Sequence, residues 1–222
     1  MNTPEEKRRE TCQITVSPTV TLEGNLDIPE RAQGIVLFVH GSGSSRFSPR
    51  NQYVARVLQQ AGIATLLIDL LTAQEEEEDR YSGHLRFNIE LLSERVAGAT
   101  EWLAKQSQTG RLKIGYFGAS TGAAAALVAA ATYPQLIGAV VSRGGRPDLA
   151  RAALPRVQAP TLLIVGSHDT PVIPLNQQAL ALLSCVKRLE LVEGATHLFE
   201  EPGALEQVAR LATEWFKRYL AA

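Results

Sequence analysis

The sequence predicts an α/β protein built on a doubly wound sheet, and two observations carry that reading. Five continuous apolar runs, at residues 35–39, 64–68, 112–117, 137–141 and 161–165, have strand length and no polar face. Strands of that kind are buried on both sides, as in a parallel sheet covered by crossover helices. The second observation is what separates them. Helix-length stretches recur in regular alternation with the runs, the rhythm of βαβ units.

Taken in order, residues 1–10 are polar and are expected to fray. Residues 12–17 and 19–28 alternate with β-branched side chains, as paired antiparallel strands do, and Pro18 and Pro29 punctuate them. The run at 35–39 precedes an amphipathic helix over 51–61, and the run at 64–68 follows. The connection after Asp69 contains Glu75, Glu76, Glu77, Glu78 and Asp79. It reads as a solvated loop; the competing reading is a negative rim that disfavours anionic substrates. A periodic helix over 87–106 leads to the run at 112–117, and an alanine-rich helix over 121–133 leads to the run at 137–141. After the run at 161–165 come a leucine-rich helix (174–184), a weaker strand (188–192) and a closing helix (205–220). Pro and Gly breaks are spread through the connections, and no internal repeat is visible, so a single domain over 1–222 is expected.

Composition excludes more than it names. The chain has 222 residues with 22 basic and 23 acidic side chains, a net charge of −1. That balance gives no case for nucleic acid or an anionic membrane surface as the main partner. Cys12 and Cys185 are the two cysteines and form no Cys-x-x-Cys motif, so a disulfide scaffold and a thiolate metal site are not expected. Both read as packing residues. No apolar run has signal-peptide or membrane-span character, and a cytoplasmic location is the expectation.

Chemistry enters at Gly118-Ala119-Ser120-Thr121-Gly122, which follows the run at 112–117 and opens directly into the alanine-rich helix. In strand–turn–helix context G-x-S-x-G marks a nucleophile on a strained turn. Glycines two before and two after the serine let strand and helix approach. The helix N-terminus adds backbone N–H groups where negative charge would develop. A serine needs a base, and His197, in Gly194-Ala195-Thr196-His197 after the last strand, can supply it. Asp169, in the loop after the run at 161–165, is the candidate to orient His197, with Asp148 as fallback. His168, adjacent to Asp169, is a poor base. Functional groups gather at the carboxyl ends of parallel strands, and all three residues fall there in the order Ser, Asp, His. His40-Gly41-Ser42-Gly43 follows the run at 35–39. Its glycines free backbone amides for an oxyanion hole, with Ser42 (less favourably Gly41) and Thr121 as donors. No lysine–serine/threonine pair and no G-x-G-x-x-G spacing follow, which argues against a nucleotide loop.

These four motifs together resemble the α/β-hydrolase superfamily, and within it the small dienelactone hydrolase-like serine hydrolases. The resemblance spans about 32–219. It implies an eight-stranded sheet with only the second strand antiparallel and helices on both faces. One departure is that dienelactone hydrolases carry a cysteine nucleophile where this chain has Ser120, which points to ordinary carboxylic esters.

Arg143, after the run at 137–141, falls on the same edge. It can bind a substrate carboxylate, or pair structurally with Asp148 or the acidic run, the reading preferred here. Phe47 and Leu198, with Leu85, Phe87 and Phe199, are candidates to line an acyl pocket. Only residues 142–160 lie between the runs at 137–141 and 161–165, too few for a helical cap domain. The expectation is an open site for small soluble esters, in a monomer or homodimer, with no metal or organic cofactor.

Overall fold

A computed structural model describes residues 10–221. Eight strands form one sheet: β1 (Glu10–Ser17), β2 (Val20–Asp27), β3 (Ile35–Val39), β4 (Ala64–Ile68), β5 (Ile114–Ala119), β6 (Ile137–Arg143), β7 (Thr161–Gly166) and β8 (Lys187–Val192). Their order is β1-β2-β4-β3-β5-β6-β7-β8. β2 runs antiparallel to both its neighbours, and every other pairing is parallel. The expected fraying concerned residues 1–10; of these only Glu10 is among the described residues, and it already belongs to β1.

Among the described residues the six α-helices are α1 (Pro49–Gln60), α2 (Ala73–Ser82), α3 (Ile89–Lys105), α4 (Thr121–Thr132), α5 (Ile173–Leu182) and α6 (Ala204–Leu220). β3, β4, β5, β6 and β7 are buried at nearly every position, as apolar runs between two helical layers require. α3, α4 and α5 bury Leu92, Val96, Leu127 and Ala179 against one face. α1 and α6 bury Val54, Leu58, Val208 and Phe216 against the other. Alanines make α4 buried almost throughout, so its axis lies close to the sheet.

The sheet order decides where the site is. The chain moves from β3 outward to β4, then crosses back to β5 on the other side of β3. The order therefore reverses between β3 and β5. At such a switch point the loops at the carboxyl ends diverge and leave a crevice. Val39 pairs with Gly118, so the loop after β3 and the turn after β5 leave the sheet side by side.

One expectation about the connections changes. The acidic run is not a loop but lies within α2. Thr72 caps its N-terminus and Glu75 closes a reciprocal capping box, and acidic residues favour the positive end of a helix. Asp79 is fully buried. Burial pushes its carboxyl up, but hydrogen bonds from the Arg86 guanidinium and the amides of Leu85 and Arg86 outweigh this and hold it below the usual range. Between β6 and β7 the chain makes short 3₁₀ turns over Pro147–Arg156 and packs on α4 and α5.

Candidate active site

Ser120 occupies the turn between β5 and α4 with φ +50° and ψ −124°. A side chain in that region is strained, and the surroundings enforce it. A Cβ on Gly118 would meet the Ala123 Cα at 2.5 Å, and one on Gly122 would strike the carbonyl oxygens of Val39 and His40. Only glycine lets α4 sit this close to β3 and β5. The Ser120 amide donates to the Arg143 carbonyl at 3.4 Å, and the Arg146 amide donates to the Ser120 carbonyl at 3.0 Å. The turn is thereby tied to the loop after β6.

Asp169 is almost buried after β7, and its Oδ2 lies 2.6 Å from His197 Nδ1. The two loops are stitched together by backbone: the His168 amide donates to Ala195, the Ser167 amide to Val192, and the Gly194 amide to Ser167 Oγ. With Nδ1 engaged by the carboxylate, Nε2 is the nitrogen left to face a reacting group. Gly144, at φ +50°, follows Arg143 in the loop tied to the Ser120 turn and abuts His197: a Cβ there would lie 3.2 Å from the His197 carbonyl oxygen and 3.5 Å from its Nδ1. Asn176 on α5, fully buried, donates to the carbonyl of Gly145 at 3.0 Å and supports the same loop from below. Sequence reading passed over Gly144 and Asn176; the paired glycines of Gly144-Gly145 were the signal available for that turn.

The loop after β3 stands opposite. Gly41 is required by proximity, since its Cβ would meet the Ser120 Cβ at 2.9 Å. The Ser42 amide donates to Thr121 Oγ1 at 3.0 Å. Thr121 begins α4, where a helix leaves its amide without an intrahelical acceptor. His40 is turned away from Ser120: the Leu70 amide donates to its Nε2 at 3.0 Å, and its Nδ1 faces the Gly41 carbonyl. Burial drives its pKa down despite that carbonyl and the charges of Asp69 and Glu76, so it is neutral with the proton on Nδ1.

The remaining predicted positions separate. Phe47 is exposed and, with Ser44, Ser45 and Arg46, lines a cavity of about 540 Å³ that also holds Glu23, Asp69 and Glu76, the first two paired with Arg46. Leu198 is exposed beside His197. Leu85 is half-buried and Phe87 exposed beside α2. Phe199 is instead a core residue, 1% exposed, in a left-handed conformation at φ +56°. Arg143 is buried, but not by the expected ion pair. Arg146 holds Asp148 with two hydrogen bonds, and Arg143 lies over the Phe199 ring with one long contact to Asn51 Oδ1 at 3.4 Å. The buried alternative failed because Arg146, nearer on the same turn, took the carboxylate. Burial on one side and the neighbouring Arg50 on the other lower the Arg143 pKa to about 10. Cys12 is half-buried, which pushes its thiol up to about 11 and away from nucleophilic use. Among the described residues no helix is long and apolar enough to cross a membrane, and no cluster of His, Cys, Asp and Glu could hold a metal ion.

Sheet order, strained serine turn and loop placement together define an α/β-hydrolase fold. The sequence pattern of the dienelactone hydrolase family matches residues 22–220, and the chain belongs to that family. Among solved structures, a dienelactone hydrolase from Anabaena variabilis is 62% identical, covers 96% of this chain and 98% of its own, and superposes with a TM-score of 0.94. Est1E from Butyrivibrio proteoclasticus shares the fold at 16% identity, with a TM-score of 0.77 over 94% of this chain and 98% of its own. A Mycobacterium tuberculosis protein provisionally named a phosphoribosyl transferase is 57% identical over 213 residues, 96% of this chain and 47% of that protein. The chain thus spans about half the length of the curated relatives it matches.

Proposed function

We propose that this protein hydrolyses carboxylic esters of small soluble substrates through an acyl-enzyme on Ser120. The observation that carries the reading is the His197–Asp169 pair at 2.6 Å after β7 and β8, at the same carboxyl edge of the sheet as the strained Ser120 turn after β5. In the proposed reaction Ser120 Oγ attacks the acyl carbon while His197 Nε2 takes its proton. Asp169, hydrogen-bonded to Nδ1, fixes the tautomer and stabilises the imidazolium. Collapse of the tetrahedral intermediate expels the alcohol, which receives the proton from Nε2. Water, deprotonated by the same nitrogen, then attacks the acyl-enzyme and releases the acid.

The oxyanion is assigned to the amides of Thr121 and Ser42. Thr121 Oγ1 now accepts from the Ser42 amide, so that amide turns to substrate only when the hydroxyl yields it or shares it. Each donor in such a hole is worth about 3–4 kcal/mol in the transition state. The mechanism calls for no cofactor, and the substrate is a small molecule rather than nucleic acid or membrane.

The decisive experiment is active-site labelling with a fluorophosphonate, alongside turnover of p-nitrophenyl acetate. Labelling at Ser120, with label and turnover lost in Ser120→Ala, supports the reading. A folded protein that neither labels nor turns over an ester is instead a binding protein on a hydrolase fold. Acyl transfer to an added alcohol or amine that outruns hydrolysis would reassign it as an acyltransferase. The phosphoribosyl transferase name of the M. tuberculosis relatives is read as belonging to the half of those chains outside the match.

A further inference from the structure

Arg143 presents an unusual balance of charge. It is 7% exposed, yet among the described residues no carboxylate reaches it, and its Nε is buried without a partner. Its one polar contact to a side chain is the long one to Asn51 Oδ1. A second guanidinium, Arg50 on the first turn of α1, stands close enough to lower its pKa, and Arg50 Nε is also buried without a partner. The acid available to the pair is Glu200, which accepts from Arg50 Nη1 at 3.0 Å and is 64% exposed at its side chain. Two like charges side by side, one of them desolvated, repel each other, and a buried guanidinium with unfilled donors costs free energy until an acceptor arrives. The guanidinium lies over the Phe199 ring, 5.8 Å from its centroid.

We propose that Arg143, Arg50 and Asn51 form a subsite for a phosphate group carried by the substrate, beside the Ser120 turn. This rests on the ester-hydrolase reading and gives the substrate class: an ester whose acid or alcohol part bears a phosphate monoester. A phosphate fits the arrangement better than a carboxylate does. Glu200 already offers Arg50 a carboxylate and leaves Arg143 unfilled. A tetrahedral dianion has oxygens enough to bridge both guanidiniums, and it displaces Glu200, whose exposed side chain swings into water. The position is right for a specificity contact, because the Arg143 carbonyl accepts from the Ser120 amide and Glu200 lies three residues beyond His197. Binding energy collected there orients the ester at the reacting centre.

The test separates binding from hydrolysis. Titration calorimetry of the Ser120→Ala protein with inorganic phosphate reads the subsite whether or not the protein is an esterase. Saturable binding is expected, weakened at least tenfold in Arg143→Gln and in Arg50→Gln. Because Arg50 is partly exposed, the second variant keeps the test valid if the first fails to fold. With the unmodified protein, the ratio of kcat/KM for a phosphate-bearing ester over its neutral isostere should exceed ten and fall toward one in Arg50→Gln. Absence of phosphate binding up to tens of millimolar, or binding that both variants retain, overturns the proposal. So does an equal preference for a carboxylate-bearing isostere. Phosphate binding in a protein that hydrolyses no ester upholds the subsite and refutes only the hydrolase reading.

Discussion

Replacing Gly144 by alanine tests whether the loop after β6 sets the position of the imidazole. At φ +50° any L-residue other than glycine is strained, at a cost of about 1–2 kcal/mol. The new methyl would stand 3.2 Å from the His197 carbonyl oxygen, 3.3 Å from the Phe199 ring and 3.5 Å from His197 Nδ1. The first two distances are tighter than ordinary contact, so the His197 loop must give by a few tenths of an ångström. Phe199 leaves little slack, being 1% exposed and itself in a left-handed conformation. A 1 Å misplacement of a catalytic group costs about 100-fold, so a shift of this size predicts roughly a 3- to 10-fold fall in kcat with KM little changed. In a chain of this length the strain lowers Tm by about 2–8 °C. The assays are p-nitrophenyl acetate kinetics and thermal unfolding on the same preparation. A Tm loss with kcat within twofold of the parent would show that the loop carries strain without placing His197. Unchanged Tm would refute the conformational argument itself.

Other substitutions probe separate links. Asp169→Asn preserves shape at the 2.6 Å contact but favours the wrong imidazole tautomer; kcat should fall about 10³- to 10⁴-fold with thermal stability nearly intact, and a smaller loss would remove Asp169 from the mechanism. Gly122→Ala drives a methyl into the Val39 and His40 carbonyls; urea unfolding should register a loss of about 3 kcal/mol, and a neutral result would mean that α4 can lift off the sheet freely. His40 gives a pH dependence. Its folded pKa lies below 6.5 through burial, so the unfolded chain takes up the proton first. Stability is therefore constant above about pH 6.5 and falls as pH drops through that value toward the folded pKa. The urea midpoint should fall further between pH 7.5 and 5.5 for the parent than for His40→Gln, and parallel losses would contradict this.

Much of the architecture was legible because its signals are local. An apolar run of five or six residues can be satisfied only with cover on both faces, and its spacing from the next run leaves room for one crossover helix. The Ser120 turn was legible for the same reason, since the glycines at 118 and 122 are a steric demand written next to the residue they serve. The acidic stretch misled because charge was weighed and capping was not. Thr72 and Glu75 start a helix there, and Asp79 turns inward to Arg86. Phe199 looked like a pocket residue from its place near His197, yet it is buried under Arg143. That outcome depends on where β6 ends relative to α1, which no window around Phe199 contains.

The sequence by itself determined the buried strands, most of their covering helices, and Ser120, Asp169 and His197 as candidates at strand carboxyl ends, since each is a matter of local pattern. Only the tertiary structure decided which partners those side chains meet. It gave Asp148 to Arg146, placed the neutral His40 against Leu70, and set Gly144 against the His197 loop. It also left Arg143 and Arg50 side by side with acceptors wanting. Contacts of that kind join residues tens of positions apart. They are settled by the packing of layers against one sheet, a competition among neighbours that no stretch of chain can specify alone.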